Sequence, residues 1–176
     1  VTNYTRHTYK AGIQSWSIQQ HDNGWIYVAN NKGLLEFDGV EWNTYPIHNA
    51  KTRAVKVGHD GRIYIGGMEQ FGYFTPNRLG GVEYTCLSDS LSPNVNVGVI
   101  WNILLDGERV YFQSDRRFFY WEEGIVKKID YSSEIYTSFI LRNKLYITSA
   151  EGLLMLNGTE FLPVLGPFGI GATVKV

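Results

Sequence analysis

Side chains that could do chemistry are thinly spread in this 176-residue chain. Asp22, Asp38 and Asp60 each stand beside glycine or Asn-Gly. In that setting an aspartate bonds its own backbone and builds a turn. A calcium loop needs alternating acidic positions closed by a distal glutamate, and no such run occurs. His7, His21, His48 and His59 are isolated, without the spacing of metal ligands. No Gly-x-Ser-x-Gly elbow is present, and Gly169-Ile170-Gly171 opens no helix, so neither a serine nucleophile nor a phosphate loop is expected. Cys86 is the single cysteine, which rules out an internal disulfide; within Tyr84-Thr85-Cys86-Leu87 it reads as a small buried hydrophobe of a strand. Asn3-Tyr4-Thr5 and Asn157-Gly158-Thr159 match the glycosylation sequon, but Asn157-Gly158 is accounted for as a hairpin turn. The chain therefore reads as a non-enzyme, with no catalytic residue, no metal site and no cofactor.

What the sequence has in abundance is aromatic rings, 15% of its residues, together with 19 glycines. These suit short strands joined by tight turns. The strand-turn-strand phrase Asp22-Asn23-Gly24-Trp25-Ile26-Tyr27-Val28 returns as Asp60-Gly61-Arg62-Ile63-Tyr64-Ile65-Gly66. Weaker copies carry Tyr111 and Tyr146, so the tyrosines step by 37, 47 and 35 residues. A strand-built repeat of roughly 40 residues is the mark of a propeller blade. The expectation is all-β: a β-propeller of about four blades of four-stranded antiparallel sheets, either a partial ring or a small closed one. The blades are placed at residues 15–45, 53–87, 99–129 and 136–164. Residues 88–96 read as a loop, 76–81 as an insertion, and 165–176 as a tail that starts a further blade or closes the ring. No stretch has helical periodicity over ten or more residues.

A residue that recurs once per blade serves the blade. The middle-strand aromatics, Tyr27 and Tyr64 among them, are therefore read as packing. A binding site belongs where the copies differ, on the first strand of each repeat and in the loop joining the second and third strands. Those positions nominate Trp16, Arg53, Trp101 and Asn102 on first strands, and Glu69, Gln70, Asp115 and Arg116 in the loops. Flat rings beside Arg, Asp and Asn suit a sugar, because rings stack on its apolar face while polar groups hold its hydroxyls.

Composition narrows the partners. A net charge of −1 with scattered basic residues makes no case for nucleic acid or an anionic membrane. No run approaches the roughly 18 apolar residues of a membrane helix, and no signal peptide is visible. The chain begins at Val1 rather than Met, so a preceding segment is expected to have been removed or omitted.

The residues resemble the two-component regulator propeller family. That family forms the extracytoplasmic sensor portions of hybrid two-component sensors and of triple-tyrosine, helix-turn-helix regulators in Bacteroides-type bacteria. The resemblance rests on Gly24-Trp25-Ile26-Tyr27-Val28-Ala29-Asn30-Asn31-Lys32-Gly33-Leu34-Leu35-Glu36-Phe37-Asp38-Gly39-Val40-Glu41-Trp42. It extends to the opening from Asn3-Tyr4 to Trp16-Ser17-Ile18, to Phe71-Gly72-Tyr73-Phe74 and to Val110-Tyr111-Phe112-Gln113-Ser114. The third repeat departs from it, with Trp121-Glu122-Glu123-Gly124 in place of Phe-Asp-Gly, so an outer hairpin one residue longer is expected there.

The resemblance implies a periplasmic ligand sensor, an oligosaccharide as ligand, and an N-terminal fragment of a parent with about seven blades. The implied partners are the rest of that parent, including its triple-tyrosine domain. Its kinase or DNA-binding parts are not in this chain. An open arc of four blades also implies a homo-oligomer, because it leaves strand edges and apolar faces uncovered. A protein-assembly module and a propeller lyase or glycoside hydrolase stand as alternatives.

Overall fold

A computed structural model describes residues 3–48, 51–77 and 81–164. The tail at 165–176 and part of the 76–81 insertion lie outside them. The described residues form sixteen strands in four sheets, each a four-stranded antiparallel meander in chain order. The first sheet has β1 (Ser15–Gln20), β2 (Ile26–Asn30), β3 (Gly33–Phe37) and β4 (Trp42–Tyr45). The second has β5 (Thr52–Val57), β6 (Ile63–Gly67), β7 (Phe71–Pro76) and β8 (Val82–Cys86). The third has β9 (Asn102–Asp106), β10 (Arg109–Gln113), β11 (Arg117–Glu122) and β12 (Ile125–Asp130). The fourth has β13 (Ile135–Leu141), β14 (Lys144–Ser149), β15 (Gly152–Asn157) and β16 (Glu160–Pro163). One helical turn, α1 (Arg6–Tyr9), precedes the sheets, and a 3₁₀ turn at Ser88–Ser90 lies inside the stretch expected to be loop.

The chain divides into two compact units, Val1–Ile103 and Leu104–Val176. In the first, the middle strands are buried on both faces, which is why β2, β3 and β6 read as nearly unbroken apolar runs. Tyr27, Ala29 and Leu34 of the first sheet pack with Val55, Ile63, Ile65 and Phe74 of the second. In the second unit, Tyr111, Phe118 and Ile129 pack with Leu145, Ile147 and Leu154.

The recurrent tyrosines hold sheets together. Tyr27, Tyr64 and Tyr111 are buried, Tyr146 is half-buried, and the hydroxyls of Tyr64 and Tyr111 each meet a charged neighbour. The Tyr64 hydroxyl donates to Asp60 Oδ2 at 2.7 Å, and Arg109 Nη1 donates to the Tyr111 hydroxyl at 3.0 Å. Tyr27 lies within electrostatic reach of the buried Glu36, whose Oε1 accepts from Tyr45 at 3.0 Å. Burial and the Glu36 charge push the Tyr45 phenol up to about 12 and raise Tyr27 as well. The turn aspartates act on backbone amides: Asp38 Oδ1 accepts from Val40 and Glu41, and Asp60 Oδ1 accepts from Arg62.

Three readings of local sequence need correction. Trp101, nominated on a first strand, does not lie on one. Val99 makes an isolated bridge to Met68, and β9 begins at Asn102. The outer hairpin of the third sheet is short rather than long: Glu122 pairs with Ile125, leaving a two-residue turn in which Glu123 and Gly124 both have positive φ. Cys86 is half-buried, with Sγ 3.2 Å from Ser88 Oγ, because β8 is the outermost strand of its sheet.

Candidate ligand-binding site

The first strand of a sheet carries a register shift at the same place in three of the four repeats. In β1 it falls between Ser15 and Ser17, in β5 between Thr52 and Ala54, and in β13 between Ile135 and Thr137. The skipped residues are Trp16, Arg53 and Tyr136. A bulge leaves its extra residue out of the ladder and re-aims the side chain. Trp101, which follows the buried Ile100 as Arg53 follows the buried Thr52, holds the matching position of the third repeat. These four residues stand 11, 11, 10 and 10 positions before the tyrosines at 27, 64, 111 and 146 (27 − 16, 64 − 53, 111 − 101, 146 − 136).

In the first unit three of them meet. β1 and β5 run side by side, with Val55 N donating to Ser17 Oγ at 3.4 Å. The Arg53 guanidinium carbon sits 4.3 Å from the centroid of the Trp16 ring. The Trp101 ring meets Trp16 edge-on, with centroids 6.1 Å apart at 67°. Trp16 and Trp101 stay 45% and 44% exposed, an unusual state for indoles and one that leaves ring surface for a ligand. Trp16 also lines a cleft of about 370 Å³ with Ser15, Ser17, Ile18 and Val28.

Asn31 locks this arrangement. Its Oδ1 accepts from Trp16 Nε1 at 3.1 Å and from Arg53 Nη1 at 2.7 Å, while its Nδ2 donates to Gln14 Oε1 at 3.0 Å. The neighbouring Asn30 is fully buried. It bridges the backbone of Gly12 and the amide of Lys32, which fixes the turn that carries Asn31. Thr52 Oγ1 lies 2.5 Å from the Asn30 carbonyl and 3.0 Å from that of Gly33; its single proton goes to the nearer, tying the second sheet to the same turn. Burial lowers the Arg53 pKa from its ordinary value.

Trp101 is held from the other side. Glu69 sits in the β6–β7 turn at φ +55°. Its two carboxylate oxygens accept from the amides of Val97 and Gly98, both at 3.1 Å. The Glu69 amide donates to Gly98 O at 2.7 Å and the Ile100 amide to Gly67 O at 2.9 Å. Ile100 then packs on bare Gly66, where a Cβ would lie 2.4 Å from Ile100 Cγ2.

The eight nominated residues therefore separate. Trp16, Arg53 and Trp101 cluster. Glu69 clamps the backbone that carries Trp101. Gln70 closes its turn through its carbonyl, and its buried Oε1 has no partner among the described residues. Asn102 opens β9, with Oδ1 accepting from the next amide, Ile103, at 2.9 Å. Asp115 and Arg116 are exposed in the β10–β11 turn of the second unit, where their carbonyls accept from Ile135 and Tyr131 at 2.7 and 2.9 Å. Sequence reasoning pointed to the loop at 30–32 without singling out Asn31, and it missed Tyr136, which is 55% exposed. The near-constant offset of 10 or 11 residues from the blade tyrosine was the available signal for Tyr136.

Among the described residues no group of three or more His, Cys, Asp or Glu side chains gathers as a metal site, and no helix is long and apolar enough to cross a membrane.

No protein-family model matches the chain, and no curated protein matches it. Solved structures do. The extracellular domain of a putative one-component system from B. thetaiotaomicron superposes with a TM-score of 0.64 at 14% identity, over 90% of this chain and 23% of that one. Virginiamycin B lyase from Staphylococcus aureus superposes at 0.68 and 13% identity, over 86% of this chain and 55% of the enzyme. PorZ, a surface component of the type-IX secretion system of Porphyromonas gingivalis, gives 0.66 and 12%, over 92% and 29%. The chain spans about a quarter of the first and about half of the second. At such identities the likeness shows the fold: the chain has the fold of a β-propeller, built here from four four-stranded blades.

Proposed function

We propose that this chain is a ligand-sensing propeller region of a bacterial signal-transduction protein, without catalytic activity. It works outside the cytoplasmic membrane and binds an oligosaccharide. The observation that carries the reading is the cluster of Trp16, Arg53 and Trp101. These are the positions at which otherwise similar repeats diverge, and they come together as half-exposed rings around a guanidinium held by Asn31. Rings of this kind stack on the apolar face of a pyranose, and polar side chains at their rim orient its hydroxyls. The likeness to an extracellular domain of a B. thetaiotaomicron regulator supports the setting. Binding would be passed to further blades and a triple-tyrosine domain of a larger parent, and copies would associate as homo-oligomers.

The test is calorimetric titration of an oligosaccharide panel against the chain, with Trp101→Ala and Arg53→Ala beside it. Loss of tenfold or more in affinity in both variants is expected, and unchanged affinity in both removes the proposal. The likeness to a lyase favours a second reading, catalysis on the same fold. Turnover of any glycan in the panel would decide for that reading. Assembly through blade faces, with no response to any ligand, is the third.

A further inference from the structure

Arg53 carries five N–H donors on a rigid planar fork. The Nη1 corner is occupied, donating to Asn31 Oδ1 at 2.7 Å and to the Thr52 carbonyl at 3.0 Å. One face of the guanidinium is covered by the Trp16 ring at 4.3 Å. The Nε–H and Nη2–H donors have no partner among the described residues. No carboxylate there lies within ion-pair distance of Arg53, whereas Arg62, Arg109 and Arg117 each have one. What remains is the Nε–Nη2 edge, the side of the fork whose two parallel N–H groups match the two oxygens of a carboxylate or sulfate.

The surroundings keep that edge in place. Asn31 is itself tied to Gln14, and Thr52 to the turn that carries Asn31, so the guanidinium is oriented before any ligand arrives. A cation that is partly desolvated and lacks a counter-ion is a cost to the free protein, and an anion placed on it recovers that cost. A neutral sugar would stack on the rings but leave the charge unanswered. Trp101 stands edge-on to Trp16 with centroids 6.1 Å apart, so its half-exposed ring belongs to the same cluster as the guanidinium.

We infer that this site, on the ligand-binding reading above, selects an acidic saccharide, with the carboxylate of a uronate or a sulfate ester seated on the Nε–Nη2 edge of Arg53 and its ring stacked on Trp16 or Trp101. Arg53 is the specificity residue; Asn31 positions it.

The experiment is titration of the chain with galacturonate, glucuronate and sulfated oligosaccharides, each beside its carboxyl-reduced or desulfated counterpart. At least one acidic member is expected to bind tenfold or more tightly than its neutral partner, with an advantage that shrinks as salt is raised. The uronate and sulfate arms show which oxyanion is used. Arg53→Gln should remove the preference, so that acidic and neutral partners bind alike, and Arg53→Lys should restore only part of it, because a point charge replaces a fork. Both variants are checked by their melting curves. Equal affinity for acidic and neutral partners, with Arg53→Gln changing neither, overturns the inference and leaves the ligand-binding reading standing. No binding of any member, acidic or neutral, overturns both.

Discussion

Asn31 is the residue on which the candidate site turns. One amide oxygen serves the indole N–H of Trp16 and the guanidinium of Arg53 together. Asn31→Ala leaves both donors without their partner and frees the guanidinium to turn on Trp16. Affinity for any ligand of the site should fall about tenfold while the fold loses only about 1 kcal/mol, the worth of a part-exposed hydrogen bond or two. Asn31→Asp is the sharper probe. It keeps the acceptor but supplies an internal counter-ion to Arg53, so the preference for an acidic ligand should collapse even though the melting temperature holds or rises. Titration with one acidic and one neutral oligosaccharide separates the two effects. A full acidic preference in Asn31→Asp would mean that Arg53 does not face the ligand.

At the scale of the element, the turns and the tyrosine network decide stability. Gly33 begins β3 at φ +125°, and a Cβ there would stand 2.2 Å from the Tyr45 carbonyl. Gly24 also has positive φ, at +89°, but open space surrounds it. Gly33→Ala therefore meets strain and a backbone clash and should cost about 3 kcal/mol or more, against roughly 1 kcal/mol for Gly24→Ala. Denaturant melts of the two variants check this, and equal losses would show that the sheet yields locally. The tyrosines make a second prediction. Burial and the Glu36 charge raise the Tyr45 pKa from 10.0 to about 12. A group with a raised folded pKa contributes its stability in full below its unfolded pKa, here near pH 10, and loses it as pH climbs through the folded value, near 12. The chain should stay folded past the ionisation of its exposed tyrosines and unfold as the buried set titrates, seen as a late step in phenolate absorbance coincident with loss of near-ultraviolet dichroism. Tyr45→Phe should remove part of that step.

For the whole molecule, the four-blade pattern was legible because each blade repeats the same physical problem. Apolar middle strands must be buried, on both faces in β2, β3 and β6 and on one face in β14 and β15, and Gly-bearing turns must supply positive φ, so the period of the tyrosines reports the period of the sheets. Some apolar surface is left over. Ile18, on the first strand of the first sheet, is 63% exposed beside the cleft that Trp16 lines. Exposed apolar surface of this kind drives association. Sedimentation is expected to show concentration-dependent self-association, reduced by Ile18→Lys; one monomeric species at every concentration would set that expectation aside.

The sequence by itself determined the strands, their meander order and the structural duty of the recurrent Asp, Gly and Tyr, because hairpin turns and two-residue alternation are local. It also pointed to Trp16, Arg53 and Trp101, since divergence within a repeat is visible in the letters. Only the tertiary structure decided that these three touch. Their meeting depends on bulges that turn Trp16 and Arg53 out of their ladders, on Glu69 folding the 97–101 segment back onto β6, and on Asn31 reaching residues 15 and 22 positions away. A bulge costs one residue of register and carries no residue type of its own, and a carboxylate that bonds distant amides looks the same in sequence as one that faces a ligand. For that reason Glu69 was nominated for binding and found holding backbone, whereas Asn31, in a loop the sequence pointed to, was not singled out and was found holding the site.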